Sequence, residues 1–182
     1  MPELVTPTDY ELRAAMVATI AAADVAAVLS ADWLPEIAVG QTLNGARDGE
    51  VLTRFAMLSL KDEKRTRVGD VPYESAKVAG TKFKVSIERV YRFLFVAAYS
   101  DELVVVSVDP LVEKSTEQLF NEWLRAVVLN FSRSPKLGLN ERVEQHSELY
   151  TFDRRIPPYG NERAHTADGL LTVHIHETVT AS

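Results

Sequence analysis

The chain has 182 residues, 46% of them hydrophobic and 25% charged, with a net charge of -6 and no cysteine. That balance is ordinary for a chain able to bury a core, and the length fits one domain spanning 1–182. The missing cysteines exclude a disulfide framework and thiolate chemistry, and the acidic balance argues against a surface that grips phosphate backbones broadly.

In chain order, Met1-Pro2-Glu3-Leu4 lacks the basic start of a signal peptide. Thr8-Asp9-Tyr10-Glu11 is a capping box, in which the Thr hydroxyl serves the third helical amide and the Glu returns to the cap amide. It predicts a helix from Asp9 to Leu29, with Leu12, Met16, Ile20, Ala23 and Ala27 on one stripe. This is the longest apolar segment, yet Arg13, Thr19, Asp24 and its many alanines leave it too weak to span a bilayer. No membrane partner is expected, and a cytosol is the expected setting. Strands over Glu36–Leu43 and Val51–Leu60, joined through Asn44-Gly45 and Asp48-Gly49, read as a hairpin with a loose connection.

Lys61-Asp62-Glu63-Lys64-Arg65-Thr66-Arg67 reads as an exposed, charged loop or hairpin tip. Val68 to Gly80, with Pro72 and no periodicity, extends it into a long loop over 61–80. From Phe83 every second residue is apolar through Tyr99, broken only by Arg89. That is the signature of a long strand lying on a core. The alternate parity starts polar at Lys84, Ser86 and Glu88 and ends apolar at Leu94 and Val96, so the second half should be covered on both faces. Leu103–Val108 is expected to return as its partner, giving a hairpin that spans roughly 55 Å and projects from a small domain.

Asp109-Pro110 reads as a helix start, Asp capping and Pro in the first turn, with the helix running to Phe131. Leu119, Phe120, Trp123, Leu124, Val127, Val128 and Phe131 form its apolar face. A turn region over Ser132–Asn140 and a weaker strand over Arg142–Phe152 follow. A second extended loop is expected over 153–169, and a last strand over Leu170–Val179. In that strand Leu171, Val173, Ile175 and Val179 should face the core, and Thr172, His174, His176 and Thr178 should face outward. The fold class is α+β: a mostly antiparallel sheet with two main helices on one face and a long projecting hairpin.

Chemistry is sparse. His174 and His176 lie on one strand face about 6.6 Å apart and could share a metal, with His165, His146 or Glu177 as further ligands. Glu177 has the opposite parity, no third ligand is fixed by spacing, and an exposed polar face is the simpler reading. Neither a nucleophile elbow nor a glycine-rich nucleotide loop is present. Asp62-Glu63 and Asp101-Glu102 sit where solvated charge is ordinary. Arg154-Arg155 and the basic residues of 61–67 are interleaved with acids, as in a solvated or subunit-contacting loop. The expected catalytic, cofactor and metal sets are therefore empty.

Four stretches resemble the tail-terminator and tail-completion proteins of tailed bacteriophages. Glu11-Leu12-Arg13-Ala14-Ala15-Met16 is similar to their opening helix, and Leu34-Pro35-Glu36-Ile37-Ala38-Val39 to the strand after it. The Leu119–Phe131 helix running into Ser134-Pro135-Lys136-Leu137-Gly138, and the closing Ala167-Asp168-Gly169-Leu170-Leu171-Thr172-Val173, are similar to their later elements. The resemblance implies a structural virion protein in the tail neck, assembled in the host cytoplasm. It implies a subunit of a homo-oligomeric, hexameric ring that caps the tail tube protein, meets the head–tail connector and lets double-stranded DNA pass as cargo. A small metal-binding or enzymatic domain using the His174/His176 face, and a bacterial adaptor module, are the alternatives.

Overall fold

A computed structural model describes residues 6–23, 36–37, 54–68, 78, 80–139, 143–145, 153–155, 158–159 and 162–180. Helix α1 covers Asp9–Ala21. Its N-terminus is the expected capping box: Thr8 accepts from the Glu11 amide at 3.2 Å, and the Thr8 amide donates to Glu11 at 2.7 Å. The helix ends at Ala21, capped by Ala22, short of the expected Leu29. The alanines continue past that point, but no Gly or basic last turn marks a stop in the sequence. Positions 24–29 lie outside the described residues.

The main sheet is built from β1 (Glu36–Ile37), β2 (Arg54–Val68), β3 (Lys82–Ala98), β6 (Val143–Gln145), β7 (Asp153–Arg155), β8 (Pro158–Tyr159) and β9 (Glu162–Thr180). Its order is β1-β2-β3-β9-β6, with β7 and β8 also on β9. Every pairing is antiparallel except β1 with β2, so the expected hairpin of the first two strands is replaced by a parallel contact. The Asn44-Gly45 turn and the rest of that first strand lie outside the described residues.

β3 lies at the centre, as its apolar row predicts, but its partners are not the expected strand. β3 pairs along its length with β2 on one side and β9 on the other. Leu103–Val108 does not join it: β4 (Val104–Val108) pairs with β5 (Leu111–Lys114) in a separate ribbon. Asp109-Pro110, read as a helix start, is instead the cis turn between these two strands. Helix α2 begins later and covers Thr116–Arg133, capped by Ser115 with Gln118 returning the bond. A Ser-x-x-Gln box satisfies two orphan amides at the start, which Asp109 cannot match because the residue three positions on, Val112, has no side-chain acceptor for the cap amide.

Of the two segments read as loops, 61–68 and 162–169 are strand, and 69–77 lies outside the described residues. Lys61–Val68 continues β2, and Glu162–Gly169 opens β9. The charges hid the strand because every residue from Lys61 to Val68 is exposed, so no apolar alternation is required there. The ladder carries them through cross-strand pairs of opposite sign, Glu63 opposite Arg89 and Lys64 opposite Glu88. Between Leu60 and Asp62 the register shifts, leaving Lys61 as a bulge. Before it, Leu58 and Leu60 share a face with Phe93 and Tyr91; after it, Glu63, Arg65 and Arg67 take that side.

One sheet face is apolar and carries both helices. Tyr91, Phe93, Phe95 and Ala97 on β3 and Leu171, Val173 and Ile175 on β9 are fully shielded. They join Leu12, Met16 and Ile20 of α1 and Leu119, Phe120, Trp123, Leu124, Val127 and Phe131 of α2 in a single cluster. Phe93 meets Phe131 edge-on at 5.7 Å, and Phe95 meets Trp123 edge-on at 5.4 Å. Val128 packs at the margin of this cluster, and Asn130 donates to the Thr19 carbonyl to tie α2 to α1. On the other face Val96 is buried and Leu94 half-buried, so cover there is partial where the sequence pattern predicted it complete. The expected inward set of β9 holds, with Val179 half-buried near the strand end.

Candidate functional site

Three polar constellations and two exposed surfaces compete for a functional role. The first lies where α1 meets the sheet. Tyr91 Oη donates to Asp9 Oδ1 at 2.8 Å, and Arg13 Nε donates to the other Asp9 oxygen at 2.7 Å. Beside it, Arg89 Nε donates to Glu63 Oε2 at 2.7 Å, and Arg65 Nε to Glu63 Oε1 at 2.9 Å. Glu63 is thus gripped on both oxygens, and these bonds, Arg89 first and Arg65 second, hold its carboxyl below the usual range. Burial, reinforced by Asp9, pushes the Tyr91 phenol well above its ordinary value, so it stays a neutral donor. Arg89 Nη1 is buried without a hydrogen-bond partner. The arrangement ties β2, β3 and α1 together.

The second constellation is at the opposite end of β3. His165 is 3% exposed and lies 2.9 Å from Thr116 Oγ1 through Nε2. Thr116 opens α2 and also bonds both the amide and the carbonyl of Ser100, just past β3. The imidazole stacks on Phe120 at 5.6 Å and leans against Tyr99 at 5.3 Å. Burial pushes its pKa down, partly offset by Glu117, so the ring is neutral at pH 7. An imidazole between two aromatic rings is a strut, not an exposed base or ligand.

The third is the outward face of β9. His174 and His176 do share that face, opposite Glu88 and Ser86 of β3. His174 Nε2 approaches Glu88 Oε2 at 3.5 Å, an ion pair when the ring is protonated. His165 alternates onto the other side and is buried, and Glu177 also takes the core-side parity, opposite Val85. Among the described residues no three metal-ligating side chains converge. His146 lies outside them.

The exposed surfaces carry the clearest asymmetry. At the β2–β3 loop end of the sheet, among the described residues, Lys61, Lys64, Arg65, Arg67, Lys82 and Lys84 outnumber Asp62, Glu63, Glu88 and Glu177, in a chain whose net charge is -6. Arg67 lies over the Phe83 ring at 4.7 Å, and on the opposite sheet face Val68, across from Lys84, is 44% exposed. Beyond Ala56, where β1 stops, the outer edge of β2 has no strand partner among the described residues. At the far end of β3, the β4–β5 ribbon exposes Leu103, Val108 and Leu111, flanked by Asp101, Glu102, Asp109 and Glu113. The paired acids of 101–102 are solvated turn residues, as expected, while Asp62 and Glu63 sit on a strand.

No protein-family model matches the chain, and no curated protein sequence matches it. The tyrosine–aspartate and arginine–glutamate ties went unread in the sequence because each joins residues far apart in the chain. One signal for the second was visible: Arg89 is the single break in the apolar row of β3, and a charge at a core-facing position needs a counter-charge across the ladder.

Proposed function

We propose that the chain is a structural virion assembly protein, a subunit of a ring that terminates a phage tail tube and joins it to the head–tail connector. The observation that carries this reading is the layout of the long strands. β2 and β3 run far past the ordinary strand length, at 15 and 17 residues, and β9 at 19. They leave the helix-covered core and end in a charged, open-edged sheet that offers backbone and side-chain bonds to a neighbour. Three further features agree with it. The described polar clusters are inter-element ties without a reactive group. The sequence resembles tail-terminator proteins in four separated stretches. An acidic chain suits a lumen through which DNA slides without adhering.

The test is the native mass of purified protein across concentration, by light scattering, with negative-stain images of any large species. Closed rings support the reading and direct the next binding assay to tail tube protein. A monomer that holds stoichiometric zinc and loses it on His174→Ala overturns it in favour of the histidine face.

A further inference from the structure

The basic end of the sheet and the acidic ribbon lie at the two ends of the same strand. β3 begins at Lys82, beside Arg67 and Val68 of β2, and ends at Ala98, from which Tyr99–Leu103 leads directly into β4. Sixteen steps at about 3.3 Å separate those ends by roughly 50 Å. The ribbon is held in place on the body: Val104 and Val106 pack against the core cluster, and Lys114 Nζ bonds both oxygens of Glu122 on α2 at 2.7 Å. Its turn is left outside, with Val108 at 73% and Leu111 at 65% exposure facing each other across Asp109-Pro110.

We propose that the β4–β5 ribbon of one copy docks on the basic sheet end of the next, joining copies head to tail. This rests on the ring reading and names the surfaces that would build it. Charge complementarity commits the occupant to a second copy of this chain. The ribbon presents Asp109 and Glu113 by its apolar tip and Asp101 and Glu102 at its base, and among the described residues its one cation, Lys114, is already paired. On one face the sheet end presents Lys64, Lys82 and Lys84 around exposed Val68, against Asp62 and Glu88; on the other, Arg65 and Arg67 accompany half-buried Phe83 and Val85, with Glu63 and Glu177. Each surface supplies what the other lacks, an apolar centre with an opposite rim, and that is how interfaces obtain both affinity and register. The two surfaces differ and sit at opposite ends of one rigid ladder, so the contact is heterologous: its repetition makes a ring if the rotation closes and a filament if it does not.

The experiment uses two charge-reversed full-length chains: Glu102→Lys/Asp109→Lys/Glu113→Lys in the ribbon, and Lys61→Glu/Lys64→Glu/Arg67→Glu in the sheet end. Every substituted side chain is exposed, and circular dichroism checks that each variant folds. Light scattering is expected to show each variant alone losing the wild-type oligomer, with association weakened about a hundredfold or more by like-charge contact. Mixed one to one, each variant meets the rim it now complements, and the oligomer returns. Wild-type oligomers that persist in both single variants, a mixture that stays monomeric, or a wild-type chain monomeric at every concentration overturns the proposal. The two readings fail separately. Open filaments abolished by reversal and restored by mixing uphold the docking surfaces and sink the closed ring. Closed rings indifferent to reversal do the opposite.

Discussion

Tyr91 donates its phenolic hydrogen to Asp9 at 2.8 Å across 82 positions of sequence, fixing the first turn of α1 to the middle of β3. The bond is made at the rim of the core, where Tyr91 itself is fully shielded from solvent. Replacing Tyr91 with Phe keeps the ring and deletes the bond, at an expected cost of about 1–2 kcal/mol, because the acceptor is a carboxylate. Denaturant unfolding at pH 7 measures it. The alkaline limb supplies the sign check. The folded phenol is pushed above its ordinary value of 10.0, so its contribution is intact below that pH and is lost as pH rises beyond it. Wild type should therefore destabilise more steeply above pH 10 than Tyr91→Phe.

Glu63 serves Arg89 and Arg65 together, and Arg89 has a side chain only 10% exposed. Glu63→Ala should cost about 2 kcal/mol or more, because it strands a largely buried guanidinium. The figure is set below that for a fully buried pair because Glu63 retains 28% exposure. The double change Glu63→Gln/Arg89→Met should recover most of the loss. The Glu63 carboxyl is held below its ordinary value, so its contribution is present above that value and lost as pH falls through the folded one. A double-mutant cycle by thermal or urea unfolding tests both statements.

His165 predicts the acid-side behaviour. Burial lowers its pKa below the ordinary 6.5, so the unfolded chain takes up a proton before the folded one does. Its contribution is whole above that pH and is lost as pH falls below it toward the folded value. His165→Gln should flatten the dependence of unfolding free energy on pH between 7 and 5. A slope equal to that of wild type would remove His165 as its source.

His174→Ala should change stability by no more than about 0.5 kcal/mol, since its approach to Glu88 is a partly exposed 3.5 Å contact. The measurement is a thermal melt with and without added zinc. A shift produced by the metal in wild type and absent from the variant would revive the histidine face as a site.

The parts of the fold that were legible in the sequence are those governed by one period over a long stretch. The apolar row of β3, the alternation of Leu171, Val173 and Ile175, and the stripe of α2 each identify their element because burial demands it. Thr8 and Glu11 fix the start of α1 because a capping box is local chemistry. The failures share a cause as well. Lys61–Val68 is a strand stabilised by ladder bonds and cross-strand charge pairs, neither of which leaves a hydrophobic period. Asp109-Pro110 satisfies a helix-start pattern and a turn pattern equally, and the Ser115 box five positions later decides between them. The polar ties of Asp9 and Glu63 were invisible because partner choice follows from register, which no single stretch contains.

The bulge at Lys61 separates two properties of the sheet end that would otherwise change together. Because Leu60 stays opposite Tyr91 and Asp62 opposite Val90, removing Lys61 would leave each later residue with its present neighbour across the ladder. What would change is direction, since a bulge adds local bend and twist to the strand that carries it. The angle at which the charged tip leaves the body thus hangs on a single residue, while the ladder pairing of every later residue does not. In a polymer of this chain, one codon there would act as a steering adjustment, altering curvature and hence the number of copies per turn at the loss of one lysine and no ladder pair.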